Sequence, residues 1–305
     1  MSHMKQCEML FVGVSTGHSF VRKVFSGWCR ALGVEATLRT LDMPLGSSPD
    51  AYRNLVGNIR NDDFIRGACI TTHKSALYEA AHSMFDEIHD GARDLQEAAA
   101  VFKTRKGLAC EATDPLSVVV ATEEILRRRG IDGWADVFII GGGGSGLALA
   151  YALLQNAHLT PKRLFVSDII ESRVQAVRRV LGKIKTGCQV NVIHCQRQEC
   201  DELIGGLNQR SLIVNATGMG KDRPGSPVSV NCELPYGSTL WDFNYRGERL
   251  FLEIGKQQES ARKVLIEDGW HYFICGWLQV MSRVFDVAIT PEIYNSFVTA
   301  ALEQR

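Results

Sequence analysis

Two side chains in the first half of this chain have the types and settings for acid–base chemistry, and a glycine cluster near its middle has the spacing to seat an anionic ligand. Lys74 comes just after the apolar run Gly67-Ala68-Cys69-Ile70-Thr71, and Asp114 closely follows another, residues 108–112. A lysine whose pKa is lowered by partial burial can take the proton from a secondary alcohol, and a nearby carboxylate can orient that hydroxyl or the lysine. Asp114 also precedes Pro115, so capping the helix that Pro115 opens is its alternative role. Gly141, Gly143 and Gly146 stand at G-x-G-x-x-G spacing, between the apolar run 137–140 and the helix formers 147–154. The first glycine permits a tight turn, the second a close approach to pyrophosphate, and the third close helix–strand packing. Gly144 and Ser145 complete this turn, and no G-K-[ST] follows it. Unpaired N–H groups and the positive end of the helix dipole therefore take the place of a phosphate-binding lysine, which fits a dinucleotide better than a P-loop.

Asp168 ends the next apolar run, 164–166, about 20 residues past the last fingerprint glycine, where an acidic residue holds the adenosine ribose. A carboxylate there accepts from the 2′- and 3′-hydroxyls and repels a 2′-phosphate, which favours NAD over NADP. Arg173 is a candidate phosphate partner, set against a helix-surface role paired with Glu171 or solvent. After the run 212–215 comes Asn215-Ala216-Thr217-Gly218-Met219-Gly220, a small glycine-rich loop beyond a strand's C-terminal end, where doubly wound sheets bind ligands.

These residues need elements to hold them, and the pattern supplies a two-domain α/β chain. Residues 10–15, 37–41 and 67–71 read as strands, with helices at 20–32, 51–59 and 75–81 and Gly33 as a helix stop. A polar helical stretch at 85–95 and strands at 99–103 and 108–112 complete the first unit. Domain one is expected at residues 5–115, completed by about 275–305, and a Rossmann dinucleotide-binding domain at 116–274. A helix at 115–129 bridges to the second domain. Strands follow at 137–140, 164–166, 189–195, 212–215 and 239–243, with helices at 172–181 and 274–285. The last helix, 291–302, packs back on the first domain, because its amphipathic face needs a partner.

The 305 residues allow two cores, and 45% hydrophobic with 22% charged residues is ordinary soluble composition. Lys+Arg and Asp+Glu both number 34, so no basic field exists to hold nucleic acid or an acidic membrane surface. No apolar run reaches the roughly 20 residues of a membrane span. A small molecule is the expected partner. Met1-Ser2-His3-Met4 lacks the features of a signal peptide and resembles the remnant of a cleaved tag. Nine cysteines without C-x-x-C pairs point to reduced thiols and a cytoplasmic setting. Cys188, His194, Cys195 and Cys200 lie close in sequence but lack paired zinc-ligand spacing. No metal site is expected, and Cys195 is read as a small buried strand residue.

With these residues in view, the chain resembles the shikimate/quinate dehydrogenase family along nearly its full length. Gly13 with His18-Ser19 looks like the family's amino-terminal substrate loop, and Gly67 to Lys74 resembles its G-x-N-V-T-x-P-x-K segment, ending in the catalytic lysine. Thr113-Asp114 resembles its N-T-D, Gly141 to Ser145 its G-A-G-G-A turn, Asn215-Ala216-Thr217 its N-A-T loop, Asp242 to Tyr245 its D-x-x-Y, and Asp268-Gly269 its D-G. The resemblance implies reversible hydride transfer between nicotinamide and a secondary alcohol of a small hydroxylated ring carboxylate, in a monomer or homodimer, and a link to aromatic amino acid biosynthesis. It implies Lys74 and Asp114 as catalytic residues, and Ser19, Thr71, Tyr245 and Gln279 as substrate contacts. For the cofactor it implies Gly141, Gly143, Gly144, Ser145, Gly146, Asp168, Arg173, Asn215, Thr217, Met219 and Gly269. Asp168 with Ser172-Arg173 is similar to the NAD-preferring branch.

Departures fall on the substrate side. The second serine of H-S-x-S-P is Val21, followed by Arg22. The asparagine before V-T is Cys69, the proline of that segment is missing, and N-T-D begins with Ala112. Gln96-Glu97-Ala98-Ala99-Ala100-Val101 stands where the family has G-A-V-N-T, and the late glutamine falls on Gly276, one turn before Gln279. Each lost amide removes a donor and an acceptor for a ring hydroxyl. Two alternatives keep the same scaffold plan: a non-catalytic dinucleotide-binding regulator or ligand sensor, and an enzyme like the methylenetetrahydrofolate dehydrogenases.

Overall fold

The computed structural model describes residues 7–221 and 223–305, and the amino-terminal tetrapeptide lies outside them. The chain forms two compact units, one running to Ser117 and resumed at Ile274–Arg305, the other Val118–Phe273.

The first unit starts with strand β1 (Cys7–Gly13), helix α1 (Val21–Leu32) and strand β2 (Ala36–Asp42). Helix α1 buries Val21, Val24, Phe25, Trp28, Cys29 and Leu32, the i, i+3, i+4, i+7 stripe of an amphipathic helix. Gly33 ends it at φ 68°, a left-handed conformation suited to glycine. Helix α2 (Pro49–Asn61) has Ser48 as its cap, the hydroxyl accepting from the Ala51 N–H at 3.3 Å. Strand β3 (Ile65–Ile70) then runs into helix α3 (Lys74–Ala81).

The stretch expected to be helical at 85–95 instead contains strand β4 (Glu87–Ile88) before helix α4 (Asp90–Leu95). Pairing outweighs local helix preference here. Residues 87 and 88 pair with strand β6 (Gly107–Glu111), reached through strand β5 (Ala100–Thr104), and the Asp86 carboxylate accepts from the Leu108 N–H at 2.7 Å. The sheet order is β2-β1-β3-β5-β6-β4, with β5 antiparallel to both its neighbours.

The chain passes into the second unit within helix α5 (Asp114–Arg129). Strand β7 (Asp136–Ile140), helix α6 (Gly144–Gln155), strand β8 (Arg163–Asp168), helix α7 (Glu171–Leu181) and strand β9 (Gln189–His194) follow. Next come helix α8 (Arg197–Gly205), strand β10 (Leu212–Asn215), strand β11 (Thr239–Asp242), helices α9 (Leu250–Lys256) and α10 (Glu259–Arg262), and strand β12 (Leu265–Glu267). All pairs in this second sheet are parallel, in the order β12-β11-β10-β7-β8-β9. Strand order reverses between β7 and β10, the switch point where open α/β sheets leave a crevice. Helices α8, α9 and α10 and strand β12 were not foreseen. Helix α8 is capped by Gln196 and Glu199 bonding reciprocally, a box whose usual signature begins with Ser or Thr.

Helix α11 (Trp270–Phe285) carries the chain back, and α12 (Pro291–Leu302) packs on α1 as its amphipathic face required. Trp28 Nε1 donates to the Phe297 carbonyl at 2.9 Å, and the two rings stack at 4.4 Å. The α/β class and the return of the last helix are as the sequence indicated. Among the described residues no helix is long and apolar enough to cross a membrane.

Candidate functional site

In the second unit the fingerprint glycines divide by what surrounds them. Gly141 leaves β7 at φ +109°, and a Cβ there would meet the Ala216 backbone at 2.7 Å. At Gly146 a Cβ would lie 1.9 Å from the Gly141 carbonyl oxygen. Gly143 caps α6 without a side-chain hydrogen bond, and a Cβ there would meet nothing within 4 Å. So Gly141 and Gly146 are required by the fold, whereas Gly143 keeps open the approach to the first N–H groups of α6, to which Gly144 and Ser145 belong. Those are the donors a pyrophosphate takes.

Asp168 ends β8 with its carboxylate anchored. Oδ2 accepts from the Gly142 N–H at 2.8 Å, Oδ1 accepts from the Ile170 N–H at 2.9 Å, and Arg173 Nη1 lies 3.6 Å from Oδ2. The expected pairing of Arg173 with Glu171 is not made. Arg173 reaches Asp168, while Glu171 accepts from Gln175 and faces Arg178 at 3.9 Å. A cavity of about 220 Å³ opens beside this carboxylate, with Gly141, Asp168, Arg173, Thr217 and Met219 in its wall. Among the unforeseen side chains that join them are Cys195, Arg197, Cys200 and Arg223. Cys195 is buried just beyond β9. Its neighbours were hidden in the sequence because α8 went unrecognised.

The Asn215 loop is built around one amide. Asn215 Oδ1 accepts from the Thr217 N–H at 3.1 Å and hydroxyl at 2.7 Å, while Nδ2 donates to the Met219 carbonyl and to Asp242 Oδ1, both at 3.1 Å. Asn244 Nδ2 also donates to the Met219 carbonyl, at 2.8 Å. Asp242 lies beneath, fully buried, and burial pushes its carboxyl up to about 6 despite the hydrogen bonds from Asn244 and Asn215. Asn215 therefore shapes the loop, and Thr217 and Met219 present it to the cavity. Gly269 is fixed by packing, since a Cβ there would meet the Phe243 carbonyl oxygen at 2.0 Å. Tyr245 packs against Trp270 and Phe273.

In the first unit, the turn after β3 and the start of α5 bring Lys74 and Asp114 together, with Lys74 Nζ donating to the Asp114 carboxylate. Their side chains retain only 18% and 15% exposure. Burial disfavours the ammonium, but Asp114 and then Glu97 outweigh it, so the Lys74 pKa lies above its ordinary value. This reverses the expected lowering. The main reason is the Asp114 carboxylate itself, and a second acid that was not assigned to the site adds to it: Glu97 is buried and accepts from the Ser75 hydroxyl at 3.2 Å. Burial raises its own pKa against the pull of Lys74. Its signal in the sequence was a lone charge entering an alanine run. Asp114 is the first residue of α5, with its carboxylate committed to Lys74.

His73, beside Lys74, is clamped. Its Nε2 donates to the Met43 carbonyl at 3.0 Å, so Nδ1 accepts from the Tyr52 hydroxyl at 2.8 Å. Thr71 donates its hydroxyl to the Val12 carbonyl at 3.0 Å. Ser19 follows a short 3-10 turn and donates its N–H to the Thr16 carbonyl at 3.0 Å. Val21 is in the core, and Arg22 donates to the Gly17 carbonyl at 3.0 Å. Gln279 is half-buried on α11. Among the described residues no group of three or more His, Cys, Asp or Glu could hold a metal ion.

No family model matches the chain. A curated relative, the shikimate dehydrogenase (NADP(+)) of Lactococcus lactis subsp. cremoris, is 30% identical over 124 residues, which span 40% of this chain and 42% of that relative. Solved structures match far more of it. The quinate dehydrogenase from Corynebacterium glutamicum, in complex with NAD, superposes with a TM-score of 0.74 at 21% identity, covering 96% of this chain and 99% of that one. The shikimate 5-dehydrogenase from Thermus thermophilus, in complex with NADP(H) and shikimate, gives 0.68 at 20% identity, covering 96% and 99%. Shikimate dehydrogenase 1 from Peptoclostridium difficile gives 0.70 at 18% identity, covering 98% and 99%. The chain thus resembles these dehydrogenases in fold over nearly its whole length.

Proposed function

We propose that this chain is an NAD-dependent oxidoreductase of the shikimate/quinate dehydrogenase type. It acts reversibly on a secondary alcohol of a small hydroxylated carboxylic acid, with the first unit binding substrate and the second the dinucleotide. The observation that carries this reading is the largely covered Lys74–Asp114 ion pair, an acid–base couple in a fold that also holds a glycine fingerprint and a ribose-type carboxylate. Lys74, kept protonated by Asp114 and Glu97, holds a proton at Nζ to donate to a carbonyl oxygen as it becomes a hydroxyl. In the oxidative direction the substrate hydroxyl proton leaves through the same hydrogen-bonded pair. Asp114 positions Nζ and accepts from the reacting hydroxyl. Ser19, Thr71, Tyr245 and Gln279 are the further substrate contacts of this reading.

A bound nicotinamide supplies the hydride acceptor or donor. The open face of Gly143 and the α6 N-terminus fit the pyrophosphate, and Asp168 fits the ribose hydroxyls with the lone pairs its backbone bonds leave unused. Asp168 stands against a 2′-phosphate, which supports NAD over NADP. Arg173 offsets part of that repulsion. The test is a panel of hydroxylated acids with NAD, following NADH absorbance. Steady turnover with quinate-like acids is expected. NAD binding without turnover on any panel member would instead favour a dinucleotide-binding sensor.

A further inference from the structure

We propose that Cys195 and Cys200 form an oxidisable dithiol in the wall of the second unit's cavity, and that its oxidation and dinucleotide occupancy exclude one another. The second clause rests on reading that cavity as the dinucleotide site; the first does not. Cys195 sits just past β9 and Cys200 on α8, with their sulfurs 3.3 Å apart and Ser167 Oγ 3.9 Å from Cys200 Sγ. Both line the cavity with Asp168 and Arg173, so a small oxidant admitted there meets two adjacent thiols.

The pair differs from four other buried thiols. The hydrogen bond from Cys200 lowers the Cys195 pKa against its burial, which gives this sulfur more thiolate character than an ordinary thiol. The bond to Cys195 and then burial raise Cys200, so the shared proton stays there. Cys29, Cys69, Cys110 and Cys232 are pushed up to about 12, in each case mainly by burial. Nucleophilicity is therefore concentrated at one sulfur with a resolving thiol beside it.

With hydrogen peroxide as oxidant, the Cys195 thiolate attacks one peroxide oxygen and the O–O bond breaks. This leaves a sulfenic acid on Cys195 and hydroxide, which takes a solvent proton to become water. Cys200 sulfur then attacks the sulfenic sulfur, the S–O bond breaks, and the departing hydroxide takes the Cys200 proton as a second water. Two thiols are oxidised to one disulfide while one peroxide is reduced to two waters. Bond formation draws the sulfurs together by a little over 1 Å. Gln196 and Arg197, between them in sequence, also line the cavity, so the wall shifts with the bond.

The test treats the full chain, without cofactor, with a slight molar excess of peroxide, then blocks free thiols and maps the peptides. The Cys195–Cys200 linkage is expected before oxidation at any other cysteine. Cys200→Ser should stop at a dimedone-trappable sulfenic acid on Cys195. NAD at about 100 times its Kd should slow linkage about 100-fold, because only the free protein reacts, and the oxidised protein should bind NAD more weakly by linkage. Earlier oxidation of another cysteine would overturn the dithiol. An unchanged rate, with NAD binding verified by calorimetry, would overturn the exclusion. Absence of NAD binding by calorimetry counts against both the dinucleotide reading and the exclusion, while the cofactor-free arm still decides the dithiol.

Discussion

Two glycines three residues apart in one turn should respond to alanine in opposite ways. At Gly146 the new Cβ would lie 1.9 Å from the Gly141 carbonyl oxygen, more than 1 Å inside van der Waals contact, and that oxygen belongs to backbone that cannot rotate away. Helix α6 must shift from β7, whose residues are all buried. Overpacking of this severity costs about 3–5 kcal/mol, or a melting point lower by about 10 °C for a chain of this size. At Gly143 the Cβ meets nothing within 4 Å, and φ −72°, ψ −177° is open to any residue. Loss of glycine at the helix cap costs less than about 1 kcal/mol. The added methyl would instead occupy the space into which a pyrophosphate must come, weakening NAD binding about tenfold or more, roughly 1.4 kcal/mol. Thermal denaturation and NAD calorimetry on Gly143→Ala and Gly146→Ala give both quantities. A Gly143→Ala protein that melts and binds NAD as the wild type does would refute the assignment of the open face to phosphate.

Lys74→Met should lower turnover by about 100-fold or more while leaving NAD affinity unchanged, and Asp114→Asn should lose turnover with a rise in KM; steady-state kinetics showing near-wild-type turnover in both folded variants would reject the pair. Titration of both cofactors should find NAD tighter than NADP, by about 1 kcal/mol once Arg173 has offset part of the Asp168 charge, whereas equal or tighter NADP would make Arg173 a phosphate clamp. Asp242 supplies a pH test. Its folded pKa of about 6 exceeds the ordinary value of about 3.9, so the folded state binds this proton more tightly and loses stability as pH rises from about 4 to 6. Asp242→Asn lacks that charge, and its melting point relative to wild type should be higher at pH 7.5 than at pH 4, by the equivalent of about 2–3 kcal/mol; a pH-independent difference would contradict the burial argument.

The sequence was most legible where one physical demand left one solution. A strand buried on both faces, a turn with positive φ and a helix packed within carbonyl contact produced the run at 137–154, and the observed β7 and α6 add to its strand and helix only Asp136, the first turn of α6 and Gln155. The end of α1 and the start of α12 were legible too, from the glycine stop at Gly33 in one and Pro291 in the other. Legibility failed where long-range partners decided. Strand β4 exists because residues far along the chain accept it, and α8 hid behind a glutamine cap. The pKa direction at Lys74 is not legible in the sequence because it is set by carboxylates that only folding brings to the ammonium, Asp114 first and then Glu97, 40 and 23 positions away.

The altered positions of the first unit share one character that bears on what the site can recognise. Val21, Cys69 and Ala112 are all buried, so the side chains replacing the serine and amides of the resembled motifs are packed into the interior. A methyl or thiol offers no strong hydrogen bond, and a site loses discrimination toward each hydroxyl whose partner is removed. Lys74 and Asp114 keep their contact, and Glu97 adds a second carboxylate whose charge acts on Lys74. Proton transfer and recognition are therefore separable here. On the proposed function the Lys74–Asp114 pair is retained, while positions that resemble the family's serine and amide side chains carry core atoms. If Lys74 acts as proposed, a suitable substrate brings its reacting hydroxyl there and depends less on amide contacts to its other hydroxyls, so substrate panels should extend to acids with fewer ring hydroxyls than quinate.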